Sequence, residues 1–136
     1  MNTDIKHIAA LVATAIWADG EYDAAEKIVV EEVADAFELN ADDFATAVEA
    51  ELAVIEPMDS EAVEAYILEH SAEVDDEEAE MLLQAVLQVV IVDGVIGEEE
   101  IENVLSIASA LGINESRAVL MLADLVKDEP ELQILL

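Results

Sequence analysis

Two stretches of this chain carry nearly the same punctuation between helix-periodic apolar segments: Asp19-Gly20-Glu21-Tyr22-Asp23-Ala24-Ala25-Glu26 and Asp93-Gly94-Val95-Ile96-Gly97-Glu98-Glu99-Glu100. Both read Asp-Gly-x-aromatic/aliphatic-x-x-x-Glu, at an offset of 74 residues (93 − 19). The offset persists downstream, where Ala34, Ala36, Phe37, Leu39 and Asn40 match Ala108, Ala110, Leu111, Ile113 and Asn114. A period of this kind constrains a fold before any single residue does. It predicts a helix-turn-helix used twice, as an internal pseudo-two-fold repeat with halves at about residues 5–56 and 75–126.

At 136 residues the chain fits one domain, residues 1–136, with enough length to bury a core. It holds 34 Asp and Glu against four Lys and Arg, a formal charge of −30, yet 55% of its residues are hydrophobic. Disorder needs low hydrophobicity as well as high charge, so the chain folds and its acids face outward. A surface of nearly one negative sign repels phosphate backbones and anionic lipid, which argues against nucleic-acid and membrane partners and leaves protein partners. Acid enrichment with few lysines also fits a high-salt cytoplasm. Zero Cys removes thiolate catalysis, disulfides and Cys-type zinc sites. Met1 to Lys6 has no cationic stretch followed by an apolar run, so the expected location is cytoplasmic.

Apolar residues recur at helical spacing almost throughout, and Gly20, Gly94, Gly97, Gly112, Pro57 and Pro130 divide the chain into seven helices, leaving little room for strands. The first runs from about Asp4 to Ala18. The second opens on an Asp23–Glu26 capping box and buries Ala25, Ile28, Val29, Val33, Ala36 and Phe37. Asn40 caps the third, which Pro57 ends, and Ser60 caps a short fourth through Leu68. A second capping box at Asp75–Glu78 opens the fifth, whose apolar stretch Met81–Val92 is expected to be the hub. Glu98-Glu99-Glu100 opens the sixth, and Asn114 caps a seventh that ends near Val126. The apolar tail from Glu131 to Leu136 is expected to dock on the chain's own core or to fray, with a partner-binding segment as the alternative.

An all-helical chain with Asp-Gly-x-x-x-x-x-Glu turns after its first and fifth helices resembles the tellurite-resistance TerB family and the related domain that precedes some DnaJ-type co-chaperones. The resemblance spans roughly Ile5 to Val126. It implies an all-α, compact seven-helix bundle whose two acidic turns approach each other and hold a metal ion, in proteins tied to tellurite and stress phenotypes. No enzymatic activity comes with it. Matched position by position, the implied metal residues are Asp19, Glu26, Asp93 and Glu100.

Four converging carboxylates would offer hard oxygen ligands, which suit Ca²⁺, Mg²⁺ or Mn²⁺ better than Zn²⁺ or copper. The same eight residues match the second half of an EF-hand loop, but the positions an EF-hand needs upstream hold Ala15 and Trp17, and Val89 and Ile91. Neither turn is a complete EF-hand, so an ion would need ligands from both turns or from water. Against this stands helix capping: Glu26 and Glu100 fall at a third helical position, where a carboxylate satisfies backbone N–H groups and the helix dipole, and Asp-Gly is a good turn dipeptide by itself. His7 and His70 have no second His near them in sequence and read as packed or solvated residues, and Trp17 reads as core.

Three functions follow from these residues. The leading one is a non-enzymatic, cytoplasmic stress-response domain that binds or senses a divalent cation at the paired acidic turns and scaffolds protein partners. The second is a structural interaction module whose acids only cap helices. The third is a metal-dependent hydrolase, for which no nucleophile motif speaks.

Overall fold

The computed structural model describes residues 4–19, 24–91, 95–128 and 133–135. Seven α-helices occupy them: α1 (Ile5–Asp19), α2 (Ala24–Ala36), α3 (Ala41–Ile55), α4 (Ser60–Ser71), α5 (Asp76–Ile91), α6 (Glu98–Ala110) and α7 (Glu115–Asp128). A short parallel pair joins β1 (Val95–Gly97) to β2 (Gln133–Leu135), in the register Val95↔Gln133 to Gly97↔Leu135. The fold is an all-α bundle with that one backbone clip. The pair ties Gln133–Leu135 of the apolar tail to Val95–Gly97 through main-chain bonds.

The hub is α1 and not α5. Every side chain from Ile8 through Ile16 is 1% exposed or less, and the helix packs on α3, α4, α5 and α6. No charged residue lies between His7 and Asp19, and alanines at 9, 10, 13 and 15 let neighbouring backbones approach from several sides. Thr14, the one polar side chain in this run, returns its hydroxyl to Leu11 O at 2.7 Å. Helix α5 buries Leu82, Leu83, Val86, Leu87, Val89 and Val90 but leaves Glu80, Met81 and Gln84 exposed, so it keeps a wet side.

The apolar stripe of α2 is also turned from its expected place. Ile28 is 57% exposed and Ala36 is exposed, whereas Val29, Val30, Val33, Ala34 and Phe37 are buried. Glu26 belongs to this core-facing set and is 0% exposed. An acid on the inner face shifts the stripe in a way hydropathy alone assigns wrongly. In α3 the buried side chains are Phe44, Val48, Glu51 and Ile55, again a core face that includes an acid.

Caps and turns fix the helix ends. Asn40 Oδ1 accepts from Asp43 N at 3.0 Å, and Asn114 Oδ1 from Ser116 N at 2.8 Å. The fourth helix is capped by Asp59, whose Oδ1 accepts from Ala62 N at 2.9 Å, while Ser60 is already helical. An aspartate oxygen before the helix outcompetes the serine because it carries full charge at the positive end of the dipole.

The ends of α2 and α6 correspond bond for bond. Leu39 N donates to Ala34 O at 2.7 Å and Ile113 N to Ala108 O at 2.8 Å, while Glu38 N donates to Asp35 O and Gly112 N to Ser109 O. This is the Schellman pattern, which needs a left-handed residue: Glu38 has φ 58° and Gly112 φ 78°. Tertiary packing does not repeat so closely, since α1 lies along α3 over a broad contact while α5 meets α7 over a narrow one.

Two outcomes test this arrangement. Ala13→Leu should lower stability by about 1–3 kcal/mol in urea unfolding, because α1 has no free side into which a larger residue can turn. Glu38→Gly should raise stability by about 1 kcal/mol over Glu38→Ala, and Gly112→Ala should lower it by a similar amount. A Cβ at Gly112 meets nothing within 4 Å, so its cost is conformational.

Candidate functional site

The first acidic turn joins α1 to α2, and the second joins α5 to α6 through β1. Glu26 lies in the first turn of α2, where unpaired helical N–H groups and the dipole favour negative charge. Glu100 holds the same place in α6, 74 residues on (100 − 26). Both carboxylate oxygens of Glu26 and Oε2 of Glu100 are shielded from solvent. Glu26 is therefore a core carboxylate, and Glu100 is partly buried. Asp19 closes α1, but its side chain, and Asp93 altogether, lie outside the described residues.

Among the described residues no group of three or more His, Asp or Glu side chains is arranged to hold a metal ion. The described half of the expected donor set nonetheless has the right chemistry for a hard cation: carboxylate oxygens, withdrawn from bulk water, on two elements that border α1 and α5. It does not suit zinc or copper, because both histidines lie elsewhere. His7 is twelve residues (19 − 7) from Asp19 along α1, which is about 18 Å of helix.

The second turn has a feature that the first lacks among the described residues. Its Val95–Gly97 segment is hydrogen-bonded to Gln133–Leu135, so the C-terminal strand and the second acidic turn share a backbone ladder. The two turns are thus framed differently although their sequences agree.

A second polar constellation sits near the start of α1, where sequence spacing gave no warning of it. His7 Nδ1 and His70 Nδ1 are 2.8 Å apart, although 63 residues separate them. A bond of that kind needs one ring to donate from Nδ1 while the other accepts there, so it cannot survive with both rings fully protonated. Tyr66 OH donates to Glu51 Oε1 at 2.7 Å, and His70 Nε2 lies 3.9 Å from the same oxygen. Tyr66 and His70 stack edge to face with ring centroids 4.4 Å apart. Helices α1, α3 and α4 are linked here through four side chains, of which Glu51, Tyr66 and His70 are buried.

Burial holds the His70 imidazole below its ordinary pKa, and the neighbouring His7 adds to the effect. Glu51 and Glu69 oppose it, and Lys6 reinforces it. Burial, with the hydrogen bond to Glu51 next, holds the Tyr66 phenol far above its ordinary range. The only signal that could have joined the two histidines is helical register: His7 opens α1, and His70 ends the Val63, Ile67, His70 face of α4.

No helix among the described residues is long and apolar enough to cross a membrane. Compared with known proteins, the chain matches the family model described as Tellurite resistance protein TerB over residues 6–123. No curated protein and no solved structure matches it.

The histidine cluster gives stability a pH dependence of definite sign. With the folded His70 held below its ordinary value of 6.5, the unfolded chain binds more protons as pH falls through 6.5, and stability is lost there. Measured by urea unfolding at about pH 7.5 and about pH 5.5, the parent should lose more stability than His70→Gln. Repulsion among the surface carboxylates is common to both proteins and cancels in the comparison.

Proposed function

The chain belongs to the TerB family of tellurite resistance proteins, and on that premise we propose that it is a non-enzymatic domain that holds a divalent cation at its two acidic turns and presents its acidic helices to protein partners. The observation that carries this reading is the complete burial of Glu26 together with the shielded oxygen of Glu100, at matching positions 74 residues apart. Asp19, Glu26, Asp93 and Glu100 would hold the ion, and Ca²⁺, Mg²⁺ or Mn²⁺ suits that oxygen set.

When bound, such an ion would supply positive charge to offset the carboxylates of the two acidic turns. The chain's own residues set the rest. The dipoles of α2 and α6 orient their first-turn glutamates, and the β1–β2 ladder fixes the second turn against the C-terminal strand. Any part in tellurite resistance is indirect, because a chain without cysteine has no thiol with which to reduce or capture tellurite.

Unfolding with added Ca²⁺, Mg²⁺, Mn²⁺ or Zn²⁺ against chelator, at constant high ionic strength, tests the proposal. For the parent, one or two of the hard ions at a hundredfold excess over Kd should add ~2.7 kcal/mol. Asp19→Asn with Asp93→Asn should abolish that gain. An equal, ion-blind gain in both proteins would mean charge screening over capped helices and would reject the cation site.

A further inference from the structure

A cleft of ≈ 960 Å³ opens between the last turn of α1, α4 and α6. That volume is near the top of the range of about 300–1,000 Å³ usual for ligand sites. Ile67 and Leu105 give it apolar wall, and Trp17, only partly buried, adds an indole that the sequence reading consigned to the core. The exposed carboxylates of Glu64 and Glu102 stand in the same cleft. Asn103, nine-tenths buried, completes the set, and its one hydrogen bond to described residues is a long donation from Nδ2 to Thr14 O at 3.5 Å.

These groups ask for one kind of occupant. Two carboxylates accept hydrogen bonds and favour positive charge, while the indole offers a face to a cation and, with Ile67 and Leu105, a seat for an apolar side chain. A second copy of this chain is a poor fit, because each copy carries a formal charge of −30. A lone small cation would leave the apolar wall uncovered.

We infer that the cleft between α1, α4 and α6 docks a basic segment of a protein partner, with an apolar residue against Trp17 and Leu105 and flanking Lys or Arg side chains on Glu64 and Glu102. The inference deepens the partner half of the proposed function and rests on that half alone. Chelator in every sample keeps its outcome separate from that of the cation site.

Trp17 is the only tryptophan, so its emission reports on this cleft directly. The probe is a short synthetic peptide with a central leucine flanked on both sides by lysine and arginine, titrated into the full chain at physiological ionic strength. A saturable change in Trp17 emission is expected, about tenfold weaker in affinity for Glu64→Lys with Glu102→Lys. Glu49→Lys with Glu56→Lys makes the same charge change at exposed positions outside the cleft and should bind like the parent. Equal weakening in both double variants would overturn the inference, as would an unchanged Trp17 signal. So would an equal response to spermine or to the peptide with serine in place of leucine, since either would reduce the effect to charge. Thermal melts of both variants confirm that they fold, as surface changes of this kind cost little.

Discussion

A helix with no solvent-facing side must find apolar partners around its whole circumference, and between Ile8 and Ile16 α1 finds them in α3, α4, α5 and α6. Its alanines matter as much as its larger residues. A leucine at each of those positions would hold the neighbours apart, and a charge at any of them would have to be buried. Polar chemistry is thereby driven to the two ends of the rod. The histidine cluster gathers near His7, and the first acidic turn and the cleft lie beyond Ile16. A shift of α1 along its axis would disturb both together, so the core that stabilises the fold also sets the spacing between its polar sites.

The charge of −30 restricts how the remaining acids are used. Most lie on the surface, where each pair contributes little. The Glu80–Arg117 ion pair, with both nitrogen contacts to one oxygen at 2.8 and 3.1 Å, is about half exposed and joins α5 to α7 with at most ~1 kcal/mol. The buried acids are the informative ones. Glu51 is held by the Tyr66 hydroxyl with His70 alongside, a neutral donor and a depressed base in place of a full ion pair. Glu26 sits at a helix N-terminus, where backbone dipoles do part of that work. Glu26 and Glu51, two of the three buried acids described, lie on faces otherwise made of alanine, valine, phenylalanine and isoleucine.

Much of the fold was legible because it is written locally. The seven helices and the Asn40 and Asn114 caps depend on residues within a few positions of one another, and they appear where the spacing put them. What the sequence hid was tertiary. Hydropathy nominated α5 as the hub because its apolar stretch is rich in large residues, whereas complete burial went to the alanine-rich α1. Ile28 looked inward and Glu26 outward until the packing of α2 reversed them. The His7–His70 contact brings together residues 63 apart and had no local trace at all. Of the candidate cation site, Glu26 and Glu100 are found in the first turns of α2 and α6 with carboxylate oxygens shielded from solvent, while Asp93 and the Asp19 side chain lie outside the described residues.

The chain matches itself at the Schellman turns that end α2 and α6 and diverges in the helices that follow, and the divergence has a physical cause. Phe44, fully buried in α3, has Ala118 as its counterpart 74 residues later (118 − 44), and Ala118 is the one fully buried residue described in α7. A phenylalanine anchors α3 along α1, but a methyl group gives α7 far less apolar area to bury against α5 and α6. Val119 and Leu120, beside it, are 49% and 57% exposed. Turn geometry tolerates this difference because Schellman bonds and Asn caps are satisfied within the turn itself, whatever lies beyond. The outcome is a pair of matched Schellman turns in unmatched settings: Glu38–Asn40 leads into a helix set deep in the core, and Gly112–Asn114 into a peripheral one. The asymmetry between α3 and α7 thus tracks a large-to-small difference at the start of the third helix, Phe44 against Ala118.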